Sequence, residues 1–584
     1  MMDCRRPPIE TPLLAAFFCI AAWLGGCGSA EPLPLLPQAD CAGAVTPVAA
    51  IQGEALRSPM EGERVSVRSV VTLVLPGRGL FLEDLPPDGL VSTSDGLYVD
   101  DGELAATVNP GDRIVVAGEV AELGTDDGSL TALTDLRGYR RCEQGIPPPI
   151  SDARLPMDRP AREALEGMHL MLQQPLSVTD VYPLAQGRLG ISQNEFLPAP
   201  TEVARPGAEA REQRRANRDR LLYVELGPYE PGPVAVGTSV LAAQGVLGED
   251  RKGHVLHLSA ALPAVPMPIY RVPPPGEDEV RVLGLNLLNY FNGDGQGGGF
   301  PGARGARSAE AFADQRERLA GLFRHVQPQL LAVSELENDG FGPGSAILDL
   351  RADLAGPEGT PWAVIDPHGG APIGNAIITV GLLYRSDLLE PEGPPQVLPG
   401  GVFNRRSRQP LAQSFRHRAS GLAFLVVANH FKSKGGCPAD GPDADKRDGQ
   451  GCWNATRVDS ARRLSAWVHE LAGRLSDGRA LILGDLNAYR LEDPIQAIIE
   501  AGFKDLTASG GFRPEYSYVY GGEAGTLDYA FASEALRPHV RMARILNINA
   551  GYPPGAELEP FWLGASDHDP VLVDLRLRQA ATLD

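Results

Sequence analysis

The sequence predicts an α/β protein, a mixed C-terminal half preceded by all-β modules. Three observations lead there. Between residues 281 and 575 apolar runs of strand length recur, most of them ending in a polar residue. Two segments of the same half, 309–326 and 454–474, read as flanking helices. Ahead of them, residues 65–120 carry short runs between turn residues, the mark of antiparallel strands.

The N-terminus sets the compartment. Arg5 and Arg6 precede an apolar run, 13–24, that is too short to span a bilayer as a stable helix. Leu24, Gly25, Gly26 and Cys27 follow, which resembles a bacterial lipoprotein signal: 1–26 removed, a lipid on the Cys27 sulfur, and 27–40 as a tether. Gly28 after the cysteine permits an outer-membrane or cell-surface location; the alternative is an ordinary secretory signal and a secreted protein. Of seven cysteines, Cys4 and Cys19 leave with the signal, and Cys41, Cys142, Cys437 and Cys452 remain. An even remainder in an oxidising compartment suggests two disulfides, Cys437 with Cys452 across one polar loop and Cys41 with Cys142 bracketing the first module. No CxxC spacing exists, so a four-cysteine metal site is not expected.

The first module spans 41–145. Runs at 65–75, 79–84, 96–100 and 111–120 lie between turn signals, and about five short strands suit a small barrel. A second β-rich region, 151–271, has strand-like runs at 168–172, 221–226 and 239–247, and its charged stretch 202–220 reads as a mobile loop. Three consecutive prolines make 272–279 a stiff linker into a C-terminal domain over 280–578. The glycine-rich stretch 292–305 lacks the Gly-Lys-Ser/Thr of a phosphate-binding loop and is expected to be a flexible loop near the site.

The chemistry sits at strand ends. Residues 480–483 are apolar, Gly484 permits a sharp turn, and Asp485 and Asn487 emerge together on one side of the strand's C-terminal end. Such a carboxylate and amide can hold a cation or water and donate to a phosphate oxygen. Asp567 and His568 sit in the loop before the strand 571–575, which adds an acid and a titratable imidazole. Asn286, Glu335 and His430 close other strand-like runs, and Asp528 lies within one. Lys432, Lys434 and Arg457 are candidates for substrate phosphate contacts, with a solvated surface charge as the equal alternative.

Taken together, Asn-Leu-Leu-Asn-Tyr-Phe (286–291), Glu-Leu-Glu-Asn (335–338), Asn-His-Phe-Lys-Ser-Lys (429–434), Gly-Asp-Leu-Asn-Ala (484–488), Leu-Asp-Tyr (527–529) and Ser-Asp-His-Asp-Pro (566–570) resemble the endonuclease/exonuclease/phosphatase superfamily. The stretch Asp-Gly-Gln-Gly-Cys-Trp-Asn-Ala-Thr-Arg (448–457) is similar to one typical of its large extracellular bacterial nucleases. The resemblance implies a pancreatic-DNase-like sandwich of two packed sheets for the C-terminal domain and an OB-fold-like first module. Few aromatic and basic residues there favour a positioning role over binding of single strands.

By the same resemblance, Glu335 binds a divalent cation, magnesium or manganese with calcium a further candidate. Asn286 lies near metal and phosphate, Asp485 and Asn487 position the attacking water and the scissile phosphate, and Asp567 is a metal or charge-tuning carboxylate. His568 works with buried Asp528 as base, and His430 contacts the phosphate or helps the leaving oxygen. One departure is Asn375, where members of the family often carry Asp before a strand.

The expected activity is hydrolysis of extracellular DNA, with RNA as a second substrate, by an exported protein held to a membrane through Cys27; no protein partner is predicted. A net charge of −21 opposes binding of long polyanions unless local basic patches compensate. Two alternatives stand beside it: a phosphatase or phosphodiesterase acting on a lipid or small phosphoester, and a surface binding protein whose catalytic domain has decayed.

Overall fold

The computed structural model describes residues 41–125, 128–508 and 515–578. The signal, the tether and the lipidation candidate Cys27 lie outside the described residues.

The first module closes on itself. Strands Arg64–Leu75, Gly79–Glu83, Gly96–Val99, Gly128–Glu143 and Arg113–Thr125 form a barrel in that spatial order. Their alternate residues, Val65, Val67 and Val71 on the first strand among them, fill its interior. The Cys41–Cys142 disulfide ties the start of this module to the end of its last strand.

Residues 151–265 build a nine-stranded sheet against the barrel. The stretch read as a mobile loop is a helix over most of its length, Ala208–Arg220, preceded by a short one, Pro200–Val203. Glu, Gln, Arg and Ala are good helix formers whatever their polarity. What misleads the sequence reading is the missing apolar stripe: only Ala210 and Asn217 of the longer helix are buried.

The C-terminal half is a sandwich of two six-stranded sheets, as the fold class predicts. One runs Trp362–Val364, Ile378–Arg385, Leu330–Glu337, Glu279–Tyr290, Val571–Arg576, Val540–Ile545; the other runs Leu389–Val397, Leu411–His417, Ala423–His430, Ala480–Asp485, Asp528–Ala532, Lys504–Asp505. Val282, Ala332 and Val380 of the first sheet meet Val426, Leu481 and Ala530 of the second in one core. Helix Ala309–Val326 covers the first sheet's outer face through Leu319 and Leu322, and helix Asn454–Leu475 covers the second's through Leu464 and Val468. Covered on both faces, the central strands read as unbroken apolar runs, and each sheet holds one parallel pair, Glu279–Tyr290 with Leu330–Glu337 and Ala423–His430 with Ala480–Asp485. Among the described residues no helix is long and apolar enough to cross a membrane.

The nine-stranded sheet does not stand apart from the sandwich. Tyr516 and Ala524 of the C-terminal half belong to its core, and Leu197–Pro198 pairs with Glu523–Gly525. Thr201 donates to the buried Glu492 carboxylate at 2.7 Å, and Glu202 binds Arg490 at 3.0 Å.

Candidate active site

Each sheet delivers its polar groups where regular pairing stops. Asn286 and Ser334 are paired on adjacent parallel strands; the next pair is Tyr290 with Leu336, so both strands bulge between. Inside the bulges Leu288, Asn289 and Glu335 adopt φ of 56°, 51° and 57°. Positive φ in non-glycine residues is costly and is held only where surrounding contacts demand it. Here the bulges interlock, since Asn289 donates to Glu335 Oε2 from its backbone N at 3.1 Å and its Nδ2 at 2.6 Å.

In the second sheet His430, Asp485 and Asp528 stand side by side across three strands, paired His430 with Asp485 and Asp485 with Asp528. Gly484 before them has φ 139°, and a Cβ on it would lie 2.0 Å from the Asn429 carbonyl oxygen. Only glycine lets the strand turn its end inward there.

The two sheets meet through Asn286 Nδ2, 3.3 Å from Asp485 Oδ2. Asn487, in a left-handed turn with φ 49°, donates to both Asp485 oxygens, from its N at 2.8 Å and its Nδ2 at 3.0 Å. Its amide also reaches the Phe431 carbonyl at 3.3 Å, so it steadies the carboxylate rather than pointing at open space.

His568 arrives from the loop before Val571–Arg576. Asp569 anchors that loop by accepting from the backbone N of Ile548, Asn549 and Ala550 and from Asn547 Nδ2. Ser566 Oγ donates to the Asn286 carbonyl at 2.7 Å. His568 Nδ1 then lies 2.7 Å from Asp528 Oδ2, and its ring is 4.6 Å from that of Tyr518. One donor atom each from Asp485, Asp528 and His568 fall within 4.8 Å of one another, all three side chains buried.

The charges are strongly coupled. Burial raises Asp485 to about 7, with Asp528 and Glu335 pushing the same way and His568 opposing. Glu335 is raised by burial and by Asp567. Burial lowers His568, but Asp528, Asp567 and Asp485 outweigh it and hold the imidazole well above its ordinary range. The surrounding carboxylates thus favour the protonated form of His568, and Asp528 fixes the ring through Nδ1. His430 is kept neutral by burial and by Arg408, with its Nε2 3.4 Å from Asp485 Oδ2.

Glu335, Asn286, Asp485, Asn487, Asp528, His430 and His568 thus converge, and Asp567 stands exposed at the mouth. Two of the phosphate candidates are not brought to the cleft. Arg457 is wholly buried and donates to the carbonyls of Gln450, Cys452 and Lys432, organising the loop that the Cys437–Cys452 disulfide closes. Lys434 pairs with Glu492 at 2.5 Å, beneath Thr201 of the nine-stranded sheet region. Lys432 stays at the rim, where its Nζ donates to the carbonyls of Ser433 and Gly435.

Sequence reasoning missed Arg408 and Arg304. Arg408 is half-buried, its charge acts on Glu335, Asp485 and His430, and it donates to the Phe431 carbonyl at 3.1 Å. Arg304 bonds the Asn289 carbonyl-amide oxygen at 3.2 Å and, with Arg307, lines a cavity of about 290 Å³ beside Asn289. Burial, and after it the charges of Arg408, Arg457, Arg406 and Arg304, lower Lys432 to about 8. Neither arginine sits in a motif; each comes from a loop whose position only the fold fixes.

Residues 288–568 match the model of the Endonuclease/Exonuclease/phosphatase family. No curated protein matches the chain. Solved structures similar to it include an endonuclease/exonuclease/phosphatase of Bacteroides vulgatus, 18% identical with a TM-score of 0.35, covering 51% of this chain and 99% of that one. A mannosyl-6-phosphatase of Bacteroides thetaiotaomicron is 17% identical with a TM-score of 0.32, covering 50% and 98%. TDP2 of D. rerio, complexed with a single-strand DNA product, is 12% identical with a TM-score of 0.33, covering 51% and 99%.

Proposed function

We propose that this chain, whose residues 288–568 match a family of phosphoester hydrolases that includes nucleases, phosphatases and phosphodiesterases, is an exported, divalent-cation-dependent nuclease acting on DNA, with RNA as a second substrate. The observation that carries the reading is the layering of the cleft. An acidic floor of Glu335, Asp485 and Asp528 lies under a cationic rim of Arg304, Arg408 and Lys432. The rim gives a polyanion a local landing place on a protein of net charge −21.

The donor set fits a hard cation. Carboxylates that raise one another when buried, as Asp567 does Glu335 and Glu335 does Asp485, favour an oxygen-bound divalent ion of the magnesium, manganese or calcium kind. Glu335 and Asp567 would hold it, with Asn286 beside them. When bound, such an ion neutralises charge building on the phosphate and favours ionisation of the attacking water.

The chain's own residues do the rest. Asp485, held from two sides by Asn286 and Asn487, orients the water and accepts its proton. His568, fixed by Asp528 through Nδ1, presents its other nitrogen to an anionic phosphate oxygen and stabilises charge there. Neutral His430 backs Asp485. The leader, the Cys27 motif and two disulfides support export and tethering to a bacterial membrane.

The test is digestion of supercoiled and linear DNA by the full-length protein with magnesium, manganese or EDTA, beside His568→Ala. Metal-dependent cleavage lost in the variant is expected. Intact DNA together with phosphate release from small monoesters would replace this reading with the phosphatase one, which the net acidity tolerates; inactivity on both would leave the decayed binding protein.

A further inference from the structure

Far from the cleft, where the barrel meets the nine-stranded sheet, a second group of metal-type side chains is buried. Glu163 ends the short helix Arg159–Glu163, while Glu249 on strand Ala243–Asp250 and His254 on strand Gly253–Leu258 are direct cross-strand partners. One donor atom from each of the three lies within 4.8 Å of the others. His254 Nδ1 is 3.7 Å from Glu249 Oε1, and its Nε2 is 4.0 Å from Glu163 Oε2.

What sets this group apart from ordinary acidic clusters is that its buried donors are orphaned. His254 and Glu249 are each only 8% exposed. His254 Nε2, Glu163 Oε2 and Glu249 Oε2 are all sealed from solvent without a hydrogen-bond partner. Glu166, wholly buried, accepts from Thr131 N with one oxygen and leaves the other unpaired; Glu122 of the barrel does the same after accepting from Ser58 N. The charges of Glu122, Glu163 and Glu249 all act on Glu166, so these groups share one place. The nearby Arg162 is committed elsewhere, donating to the carbonyls of Met157, Arg218, Asp219 and Leu221.

The half-buried Arg159 is a cation whose charge acts on Glu163, Glu249 and His254, yet it leaves their buried atoms without a hydrogen-bond partner, and buried polar atoms are rarely left so. We propose that Glu163, Glu249 and His254 form a second metal site, separate from the cleft, that holds one zinc or manganese ion at the seam between barrel and sheet. Oxygen donors alone would suit magnesium or calcium; the imidazole among them turns the preference to these borderline ions. The alternative occupant is protons, since burial raises Glu163 and Glu249 to about 7.

The experiment uses the full-length Glu335→Gln protein, so that the cleft's cation is removed from the count. After chelation it is titrated with zinc or manganese chloride, desalted, and assayed for bound metal and melting temperature. We expect one equivalent retained and a higher melting temperature, with both lost when Glu249→Gln or His254→Gln is added. Glutamine mimics a protonated Glu249, so if protons fill the site Glu249→Gln melts unchanged and the metal count does not move; that result, or no retained metal in Glu335→Gln alone, overturns the proposal. Should the added variants fail to fold, the zinc X-ray absorption spectra of Glu335→Gln and of Glu335→Gln with His568→Ala decide: imidazole scattering that persists in both supports the site, and its loss with His568 refutes it.

Discussion

His568 Nδ1 and Asp528 Oδ2 lie 2.7 Å apart with both side chains almost wholly buried, and they come from opposite sheets of the sandwich. The pair exists only when the two sheets are docked, so cleft chemistry and sandwich packing are one property. Removing the imidazole in His568→Ala is expected to lower kcat on DNA by about 10²–10⁴-fold, the usual worth of such a group. Near-normal turnover would reject its role.

Asp528→Asn tests the charge state of that imidazole. Asp528 opposes the lowering of His568 by burial. Without its charge the imidazole loses its proton at lower pH, so the alkaline limb of kcat/KM moves to lower pH than in the parent. An alkaline limb that stays put, with a displaced acid limb, would make His568 the base.

Glu335→Gln keeps the Asn289 contact but removes the charge expected to hold the cation. Activity at a fixed millimolar metal concentration is expected to fall at least ~100-fold, as loss of a metal's transition-state stabilisation requires. A manganese titration that returns full activity at the parental concentration would disprove the assignment.

Stability should depend on pH through Glu83 of the barrel. Burial lifts its carboxyl from 4.5 to about 8, although it accepts the His169 N–H at 2.8 Å. A carboxyl with a raised folded-state pKa contributes stability that is complete below its unfolded value, near 4.5, and is lost as pH rises through about 8. Glu83→Gln should therefore flatten the fall in stability between those pH values, followed by denaturant unfolding of the barrel signal. An unchanged slope would show that Glu83 is ionised in the fold.

The Cys437–Cys452 bridge closes a loop with a sequence separation of 15, for which chain entropy gives about 3 kcal/mol. Mild reduction should leave the sandwich folded while amide exchange quickens across 434–453 and DNA cleavage drops. Unchanged exchange there would mean that Arg457, through its carbonyl contacts, holds the loop alone.

Much of the cleft is legible in the sequence because its residues end apolar runs. His430 and Asp485 each close a strand, while Asn286 and Glu335 stand where the regular pairing of theirs breaks off, and such a point fixes where the side chain emerges. Arg408 and Asn289 are not legible in that way. Arg408 becomes part of the site by packing next to His430, and Asn289 becomes a Glu335 ligand only because two bulges interlock. The helix Ala208–Arg220 hid for the opposite reason: its propensity is strong, but a helix that buries so little has no apolar period to read.

Lys434, Glu492 and Thr201 form a short relay from the cleft's loop to the nine-stranded sheet region. A gene fragment beginning at the proline linker would carry every motif of the cleft, yet leave Tyr516 and Ala524 without the core they share and Glu492 without one of its partners. Residues 280–578 cut free of the upstream modules are therefore expected to unfold at a lower temperature than the same residues in the intact chain.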